Sequence, residues 1–230
     1  MRKTKIICTL GPSTDSPEIL EAMMKSGMDV ARFNFSHGTH EDHKRRLEML
    51  KDLRKKLNIP VAALLDTKGP EIRLKTFEKG EVYLETGQHF TLTAREVTGT
   101  REICSVTYKN LAQDVRLGSQ VMLDDGLISM KVVEKTETDV ICRVENGGAV
   151  KDRKGVNVPG VHLSMPYMSA QDRADIRFGI EEGFDFIAAS FCRTAQDAME
   201  IRRMLDENHS NMRIIAKLEN QEGVNNVDEI

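Results

Sequence analysis

Two patterns of hydrophobic and polar residues alternate along this chain. From residue 4 to residue 66, short apolar runs alternate with amphipathic stretches: TKIICT, PEILEAMMKSG, DVARFNF, HEDHKRRLEMLKDLRKKL and VAALLD. This strand–helix–strand–helix–strand order predicts a parallel sheet covered by helices. The apolar runs carry few polar residues before their last positions, which is typical of strands that are covered on both faces.

A different pattern, rich in Thr, Val and Gly with alternating polarity, runs from about residue 71 to residue 165. Its candidate strands are EVYLETG, FTLTA, ICSVTY, QVMLDDG, LISMKVVE and DVICRVE. Short strands joined by tight turns predict an antiparallel barrel or sandwich. We therefore expect an all-β barrel domain inserted into the α/β domain.

The first pattern resumes after the insertion. Ser169 is a candidate helix N-cap and Gly183 a candidate C-terminal stop, and a strand, a helix and a further strand follow. The segment VNNVDEI, at 224–230, has the pattern of a helix that is just beginning. The predicted domain limits are thus 1–70 and 166–230 for the α/β domain and 71–165 for the insertion.

The strand count limits the fold class. A complete (β/α)8 barrel takes roughly 250 residues, whereas about 135 remain here once the insertion of about 95 is removed. We expect a partial (β/α)8 barrel with about five of the eight strands, in which the last segment runs from the third helix to the fifth strand. We expect the chain to be a shortened form of a longer protein.

Composition excludes several classes of protein. Lys and Arg number 33 against 36 Asp and Glu, so a net charge of -3 gives no electrostatic reason to expect a nucleic-acid or membrane partner. Apolar runs are shorter than a bilayer span requires, and the first residues, MRKTKIICTL, have neither the apolar core nor the small-residue cleavage site of a signal peptide. The four cysteines form no C-x-x-C pair, which favours buried, reduced thiols. These features predict a soluble, cytoplasmic protein.

Polar residues gather where the predicted α/β strands end. They are Thr9; Arg32, Asn34 and Ser36; Asp66 and Thr67; Ser190; and Lys217 and Glu219. Ligands of α/β sheets bind at these carboxyl ends. Basic groups, carboxylates and neutral oxygens at one edge suit a phosphorylated anion held together with cations. The alternative is that each of these residues merely terminates its strand.

Two other kinds of site are less favoured. The sequence contains neither the P-loop pattern nor the G-x-G-x-x-G pattern, so a glycine-rich phosphate cradle does not explain the cluster. His37, His40 and His43 are three residues apart and could suggest a structural zinc site. However, His40 and His43 are expected at the solvated start of a helix, among charged residues and without a nearby cysteine.

Six segments resemble the pyruvate kinase family, in its bacterial form. They are KTKIICTLGPST at the start, ARFNFSHG at 31–38, LLDTKGPEIR at 64–73, KGVNVPG at 154–160, FDFIAASF at 184–191 and IIAKLENQEGVNNVDEI at the end. The resemblance covers the whole chain and includes a β-domain inserted after the third barrel strand. It implies phosphoryl transfer from phosphoenolpyruvate to ADP, giving pyruvate and ATP.

The resemblance also implies roles for individual residues. Arg32 and Lys217 would be catalytic, with Arg32 binding phosphate oxygens and Lys217 stabilising charge on the transferred group. Glu219 would bind Mg2+ or Mn2+. The residues implied to hold K+ are Asn34, Ser36, Asp66 and Thr67. Those implied to bind substrate or nucleotide are Arg32, Asn34, His37, Arg73, Lys154 and Lys217. Glu71 stands where family members that depend on potassium carry Glu.

The resemblance leaves two functions open. Two strands, near Pro70 and Pro166, would join the inserted domain to the barrel domain and would let the inserted domain act as a lid over the site. The family's later barrel strands, its carboxy-terminal domain and the main contacts of its homotetramer have no counterpart here, so we expect the chain to be inactive alone. The alternative is a non-catalytic module that retains partial phosphate and potassium binding.

Overall fold

A computed structural model describes residues 3–230 of the chain. The strands, in chain order, are β1 (Ile7–Leu10), β2 (Val30–Asn34), β3 (Ala62–Asp66), β4 (Ile72–Arg73), β5 (Glu81–Leu84), β6 (His89–Thr93), β7 (Ile103–Ser105), β8 (Gln120–Leu123), β9 (Ile128–Lys135), β10 (Asp139–Asn146), β11 (Gly148–Lys151), β12 (Gly155–Asn157), β13 (Phe186–Ala189) and β14 (Arg213–Ala216). The helices are α1 (Pro17–Ser26), α2 (His40–Leu57), α3 (Leu111–Asp114), α4 (Ala170–Glu181), α5 (Ala195–Glu207) and α6 (Gln221–Asn225). Short 3-10 turns occupy Pro12–Thr14 and Asp124–Gly126.

The described chain divides into two compact units. The first comprises the described residues up to Gly69, together with Tyr167–Glu219 and Asn226–Ile230. The second comprises Pro70–Pro166 and Asn220–Asn225. The chain thus leaves the first unit after β3 and returns to it before α4. Among residues 3–230, no helix has both the length and the apolar character needed to cross a bilayer.

The first unit is α/β, as the alternating pattern predicts. Its sheet has the order β1–β2–β3–β13–β14, and every neighbouring pair is parallel. Neighbours in the sheet are therefore consecutive strands of this unit, which places all the strand carboxyl ends along one edge. The central strands β3 and β13 are almost fully buried, as expected for strands covered on both faces.

The two outer strands differ from that expectation. Ile7 of β1 is 52% exposed and Ile215 of β14 is 41% exposed. Both strands have a neighbour on one side only within the described sheet, so the apolar residues on them are covered less completely than those of β3 and β13.

Helix boundaries in the first unit follow local capping chemistry. Ser169 accepts a hydrogen bond from the backbone N–H of Asp172, and the Asp172 side chain accepts one from the backbone N–H of Ser169. Gly183, with a φ of 70°, lies just beyond the end of α4, in a conformation that favours glycine. The predicted start at Ser169 and stop at Gly183 are both confirmed.

The prediction of a helix that begins at residue 224 is wrong. α6 starts earlier, at Gln221, and ends at Asn225, and turns follow it. The Asn220 side chain explains the earlier start, because its Oδ1 accepts a hydrogen bond from the backbone N–H of Gly223, as an N-cap does.

The solvated helix start predicted for His40 and His43 is also wrong. His43 is 4% exposed and His40 is half-buried. The His43 ring stacks on Phe35 with 4.1 Å between ring centroids, and the His40 ring stacks on Phe178 at 4.3 Å. Aromatic rings from outside the helix remove these histidines from solvent, and the charges that flank them in the sequence do not show this.

The second unit is built mainly from β-strands. A seven-stranded sheet has the order β4–β12–β8–β9–β10–β6–β7, and β5 pairs with β11 in a separate two-stranded sheet. Alternate residues of the long strands point to one core, for example Met130 and Val132 of β9 and Val140 and Cys142 of β10. An isolated antiparallel bridge between Leu74 and Val106 links the chain just after β4 to the chain just after β7.

The inserted segment departs from the prediction in two details. β6 and β7 pair in parallel, with Thr91 opposite Ile103, because the connection at 94–102 returns the chain to the end of the sheet where β6 began. The segment also contains the short helix α3, so it is not made of strands alone. Strands β4, β11 and β12, of two to four residues, have no distinct signal among the predicted runs.

All four cysteines are free thiols, as predicted. Cys104, Cys142 and Cys192 are buried, whereas Cys8 is only half-buried. Burial raises the pKa of Cys104 to about 11 and that of Cys142 to about 12, so these two thiols are protonated and unreactive at neutral pH.

We predict that Gly179→Ala destabilises the first unit. A Cβ at this position of α4 would lie 2.5 Å from Cδ1 of the fully buried Leu65. Alanine favours a helix over glycine by about 1 kcal/mol, but overpacking of a core costs about 1–3 kcal/mol. We expect a lower urea midpoint by far-ultraviolet circular dichroism, which reports mainly on α1, α2, α4 and α5.

The control is Gly11→Ala, because a Cβ there meets no atom within 4 Å. A midpoint for Gly179→Ala equal to or above that of the parent chain would contradict the close packing of α4 against β3.

Candidate active site

Strand register brings the predicted polar residues to one edge of the parallel sheet. Thr9 of β1 lies opposite Arg32 of β2, and Asn34 of β2 lies opposite Asp66 of β3. The next strand places Ala188 opposite Asp66. Because parallel strands end on the same side, their last residues form a continuous row of side chains.

Asp66 is the central group of this row. Its side chain is 2% exposed, and its Oδ2 accepts a hydrogen bond of 2.6 Å from Nε of Arg32. The same guanidinium donates through Nη1 to Oγ1 of Thr9 at 2.8 Å. Arg32 is thus held from two neighbouring strands, with its side chain 33% exposed, so its position is fixed while part of it still faces outward.

The second oxygen of Asp66 binds groups from the other side. Nζ of Lys217 lies 3.2 Å from Oδ1 of Asp66 and 2.9 Å from Oγ of Ser190. The Ser190 hydroxyl itself donates to Oδ1 of Asp66 at 3.1 Å. One buried carboxylate therefore positions both cationic side chains of the candidate site.

Glu219 is positioned by Lys217 and by the backbone. Its Oε1 lies 3.1 Å from Nζ of Lys217, and its Oε2 accepts a hydrogen bond of 3.0 Å from the backbone N–H of Phe191. Phe191 adopts a φ of 54°, in the left-handed region that non-glycine residues seldom occupy. This strained residue follows β13, where it directs its N–H toward the carboxylate.

Asn34, Ser36 and Thr67 surround the same strand ends. Oδ1 of Asn34 accepts a hydrogen bond from the backbone N–H of Ser36 at 3.0 Å. The Thr67 hydroxyl donates to the carbonyl of Ala188 at 3.2 Å and accepts from the backbone N–H of Ser190 at 3.1 Å. The side chain of Thr67 therefore joins the end of β3 to the end of β13.

The loop after β3 is packed against the end of β13. Gly69 has a φ of 68°, and a Cβ there would lie 2.6 Å from the carbonyl oxygen of Ser190. The backbone N–H of Gly69 donates to Oδ1 of the buried Asp172 at 3.0 Å. Glycine is required here by both the backbone conformation and the close approach.

We call Asp66 and the side chains bonded around it, those of Thr9, Arg32, Ser190, Lys217 and Glu219, the Asp66 network. The remaining predicted residues are His37, Arg73 and Lys154. His37 is exposed on the loop after β2, and its ring makes no hydrogen bond to a described residue. Arg73 and Lys154 belong to the second unit. There, Nε of Arg73 donates to Oε1 of Glu71 at 2.7 Å, and Nζ of Lys154 lies 2.9 Å from Oδ1 of Asp124. The hydrogen bond that Arg73 donates to Glu71 raises the pKa of Arg73 above its ordinary value.

Oxygen donors in the first unit suit hard cations. The amide oxygen of Asn34, the hydroxyl of Ser36 and the carboxylate of Asp66 fit K+, and the Glu219 carboxylate fits one coordination position of Mg2+. Within residues 3–230, no three His, Cys, Asp or Glu side chains come together in a way that could hold a metal ion. The three histidines considered for zinc have other partners or none: His40 contacts Asp175, and His43 contacts the carbonyl of His37.

A cavity elsewhere in the first unit contains none of the predicted site residues. It has a volume of about 470 Å³ and is lined by residues that include Asp185, His209 and Arg213. These lie at or just before the amino ends of β13 and β14, opposite the ends that carry Ser190 and Lys217. We therefore place the candidate chemistry at the Asp66 network.

The structure identifies features that the sequence pattern did not assign. Thr9 and Ser190 were recognisable as polar strand ends, yet their hydrogen bonds to Arg32 and Lys217 depend on register across strands. Phe191 carried no signal at all, because nothing in a phenylalanine side chain indicates a left-handed backbone. Asp172, which accepts from Gly69, was recognisable only as part of a helix start.

Comparisons with known proteins agree on one family. Residues 1–230 match the family model "Pyruvate kinase, barrel domain". The chain is 49% identical over 232 aligned positions to pyruvate kinases of Staphylococcus aureus (strain MRSA252) and Staphylococcus epidermidis (strain RP62A). These alignments cover 100% of this chain and 40% of each relative, so the chain spans about two fifths of their length. The chain belongs to the pyruvate kinase family.

Proposed function

We propose that this chain provides the amino-terminal part of a pyruvate kinase, which transfers a phosphoryl group from phosphoenolpyruvate to ADP. The single observation that supports this best is the buried Asp66, which binds both Arg32 and Lys217. It fixes two cationic side chains at one strand edge, next to the carboxylate of Glu219. This arrangement suits a reaction that needs charge neutralisation more than covalent catalysis.

Each residue of the network has a role in the proposal. Arg32 orients the phosphoryl oxygens, since its guanidinium is held by Thr9 and Asp66 and can direct its remaining donors outward. Lys217 places its ammonium against the negative charge that develops as the phosphoryl group leaves the enolate oxygen. Ser190 keeps Nζ of Lys217 in place through a bond of 2.9 Å.

Two cations complete the proposal. Asn34, Ser36, Asp66 and Thr67 would hold K+, and Glu219 would provide one ligand of Mg2+ or Mn2+. When bound, these ions neutralise phosphate charge and orient the two substrates. Glu71, bound to Arg73, is proposed to mark dependence on potassium, as in family members with Glu at this position.

The proposal extends to the second unit and to the assembly. We assign residues 1–70 and 166–230 to a partial (β/α)8 barrel and residues 71–165 to an inserted β-barrel that acts as a lid. The bridge between Leu74 and Val106 supports the barrel, because it links the two edges of the seven-stranded sheet. His37, Arg73 and Lys154 would contact ADP or ATP. A cytoplasmic location and a homotetrameric whole enzyme are part of the same proposal.

A second candidate function applies to the 230 residues alone. The parallel sheet has five strands, and an eight-stranded barrel places catalytic groups on several further strands. The isolated chain would then be a module that retains part of the phosphate and potassium site without turnover.

We predict that Lys217→Met inactivates a chimaera in which these 230 residues replace the matching part of the S. aureus pyruvate kinase. The parent chimaera should be active, and the variant should lose about 10²–10³-fold in kcat, as when one charge-stabilising donor is removed. A coupled assay with lactate dehydrogenase measures pyruvate formation.

The matched control is Lys25→Met, since Lys25 is an exposed lysine paired with Glu21 at the end of α1. Equal activity of Lys217→Met and the parent chimaera would rule out the proposed role.

We predict that Asn34→Ala and Ser36→Ala raise the K+ concentration needed for half-maximal activity of the chimaera. Each change removes one hard oxygen from the proposed site, while the Asp66 network remains. Titration of activity with KCl at constant ionic strength measures this shift. An unchanged K+ requirement in both variants would exclude this position for the ion.

We predict no turnover by the 230-residue chain alone with phosphoenolpyruvate, ADP, Mg2+ and K+. Its sheet provides five of the strands that an eight-stranded barrel uses to build its site. Turnover above background that Lys217→Met abolishes would instead show that these residues suffice for catalysis.

A further inference from the structure

A group of buried and half-buried polar and aromatic side chains lies between α2 and α4. We call it the histidine cluster; it consists of Phe35, His40, His43, Asp175 and Phe178. Its rings are in contact, with Phe35 stacked on His43, His40 stacked on Phe178, and 6.1 Å between the centroids of Phe35 and His40. The proposed phosphoryl transfer does not involve this cluster.

Asp175 has one oxygen that is satisfied and one that is not. Oδ1 accepts a hydrogen bond of 2.6 Å from Nε2 of His40 and one of 2.7 Å from Nε2 of Gln171. Oδ2 is buried and has no hydrogen-bond partner within residues 3–230. The residue is 1% exposed, so bulk solvent does not compensate for the missing bond.

His43 also has one buried ring nitrogen without a hydrogen-bond partner, and the contact of its other nitrogen defines its tautomer. Its Nε2 lies 3.0 Å from the carbonyl oxygen of His37, which can only accept, so Nε2 carries the hydrogen. Burial lowers the pKa of His43 and keeps the ring neutral at neutral pH, although the nearby charge of Asp175 opposes part of that effect. Nδ1 is therefore an acceptor, and it too is buried and lacks a partner among the described residues.

Nδ1 of His43 and Oδ2 of Asp175 are both acceptors and cannot bond to each other, and leaving either one unpaired destabilises the folded chain. They require a donor, and the smallest species with two donor hydrogens is water. We propose that one internal water molecule donates to Nδ1 of His43 and to Oδ2 of Asp175, and that His43 thereby acts as a positioning residue for the loop after β2.

The loop concerned carries residues of the candidate site. The carbonyl of His37 is held by His43, and the backbone N–H of His37 donates to the carbonyl of Asn34 at 3.2 Å. Gly38 has a φ of 83°, and a Cβ there would lie 3.5 Å from Nε2 of His43. The ring of His43 therefore packs against Gly38 and holds the carbonyl of His37, both in the loop that contains Ser36.

The water fixes this support through the tautomer. A donor at Nδ1 holds the hydrogen on Nε2, where it bonds to the His37 carbonyl. The opposite tautomer would place a lone pair against that oxygen and repel the loop. The line of contacts thus runs from Asp175 in α4 through the water and His43 to the loop that carries Asn34 and Ser36. It does not depend on which reaction the site performs.

The first test uses the unmodified chain. A crystal structure that resolves ordered water should show one molecule within hydrogen-bond distance of both Nδ1 of His43 and Oδ2 of Asp175. Long-range 1H–15N NMR of the histidine rings at neutral pH should show His43 neutral, with its hydrogen on Nε2. Absence of that water, two separate waters, or a hydrogen on Nδ1 would overturn the proposal.

The second test uses variants of the same chain. Asp175→Ala should mix the two tautomers of His43 and shift the backbone amide signals of Ser36, His37 and Gly38. Gln171→Ala is the control, because it removes a bond to Oδ1 only and should leave the tautomer unchanged. An unchanged His43 signal in Asp175→Ala, or an equal change in Gln171→Ala, would contradict the proposal that a water bound to Asp175 fixes the tautomer of His43.

A third variant covers the case in which Asp175→Ala does not fold. His43→Phe keeps an aromatic ring next to Phe35 but removes both nitrogen atoms. We expect a folded chain that lacks the ordered water and has altered loop amide signals. Loop signals identical to those of the unmodified chain would show that His43 does not position the loop.

Discussion

The buried carboxylate of Asp66 is the group on which the candidate site depends. A charge that is 2% exposed is tolerated only when it is fully paired, and Asp66 obtains its partners from three other strand ends. Arg32 comes from β2, Ser190 follows β13 and Lys217 follows β14. The pairing therefore links the strands mechanically as well as electrostatically, and their order in the sheet makes it possible.

The sequence predicted the features that arise from local chemistry. The N-cap at Ser169 and the helix stop at Gly183 follow from backbone conformation and hydrogen bonds within a few residues. The strands of the parallel sheet follow from the alternation of apolar runs with amphipathic stretches along the chain. Convergence of Arg32, Asp66 and Lys217 could be expected because parallel strands end together, and the structure shows it. Strands as short as Ile72–Arg73 exist only through pairing with β12, so no local pattern indicates them.

Features that depend on distant contacts could not be predicted. His43 lies among charged residues in the sequence, yet it is buried and its ring stacks on that of Phe35. The parallel pairing of β6 with β7 depends on the path of a connection, which has little regular pattern. Phe191 adopts a left-handed conformation where it bonds Glu219, and this strain is visible only in the backbone. Tertiary structure decides all three.

The balance of positive and negative side chains at the strand ends affects how strongly the site attracts an anion from a distance. Arg32 and Lys217 carry two positive charges, and Asp66 and Glu219 carry two negative charges, so they cancel within a few ångströms. Opposite charges in contact produce a field that decays quickly with distance, and the whole chain has a net charge of only -3. These four side chains alone therefore do not steer an approaching anion over a long range, so any such attraction would have to come from the cations that the site binds.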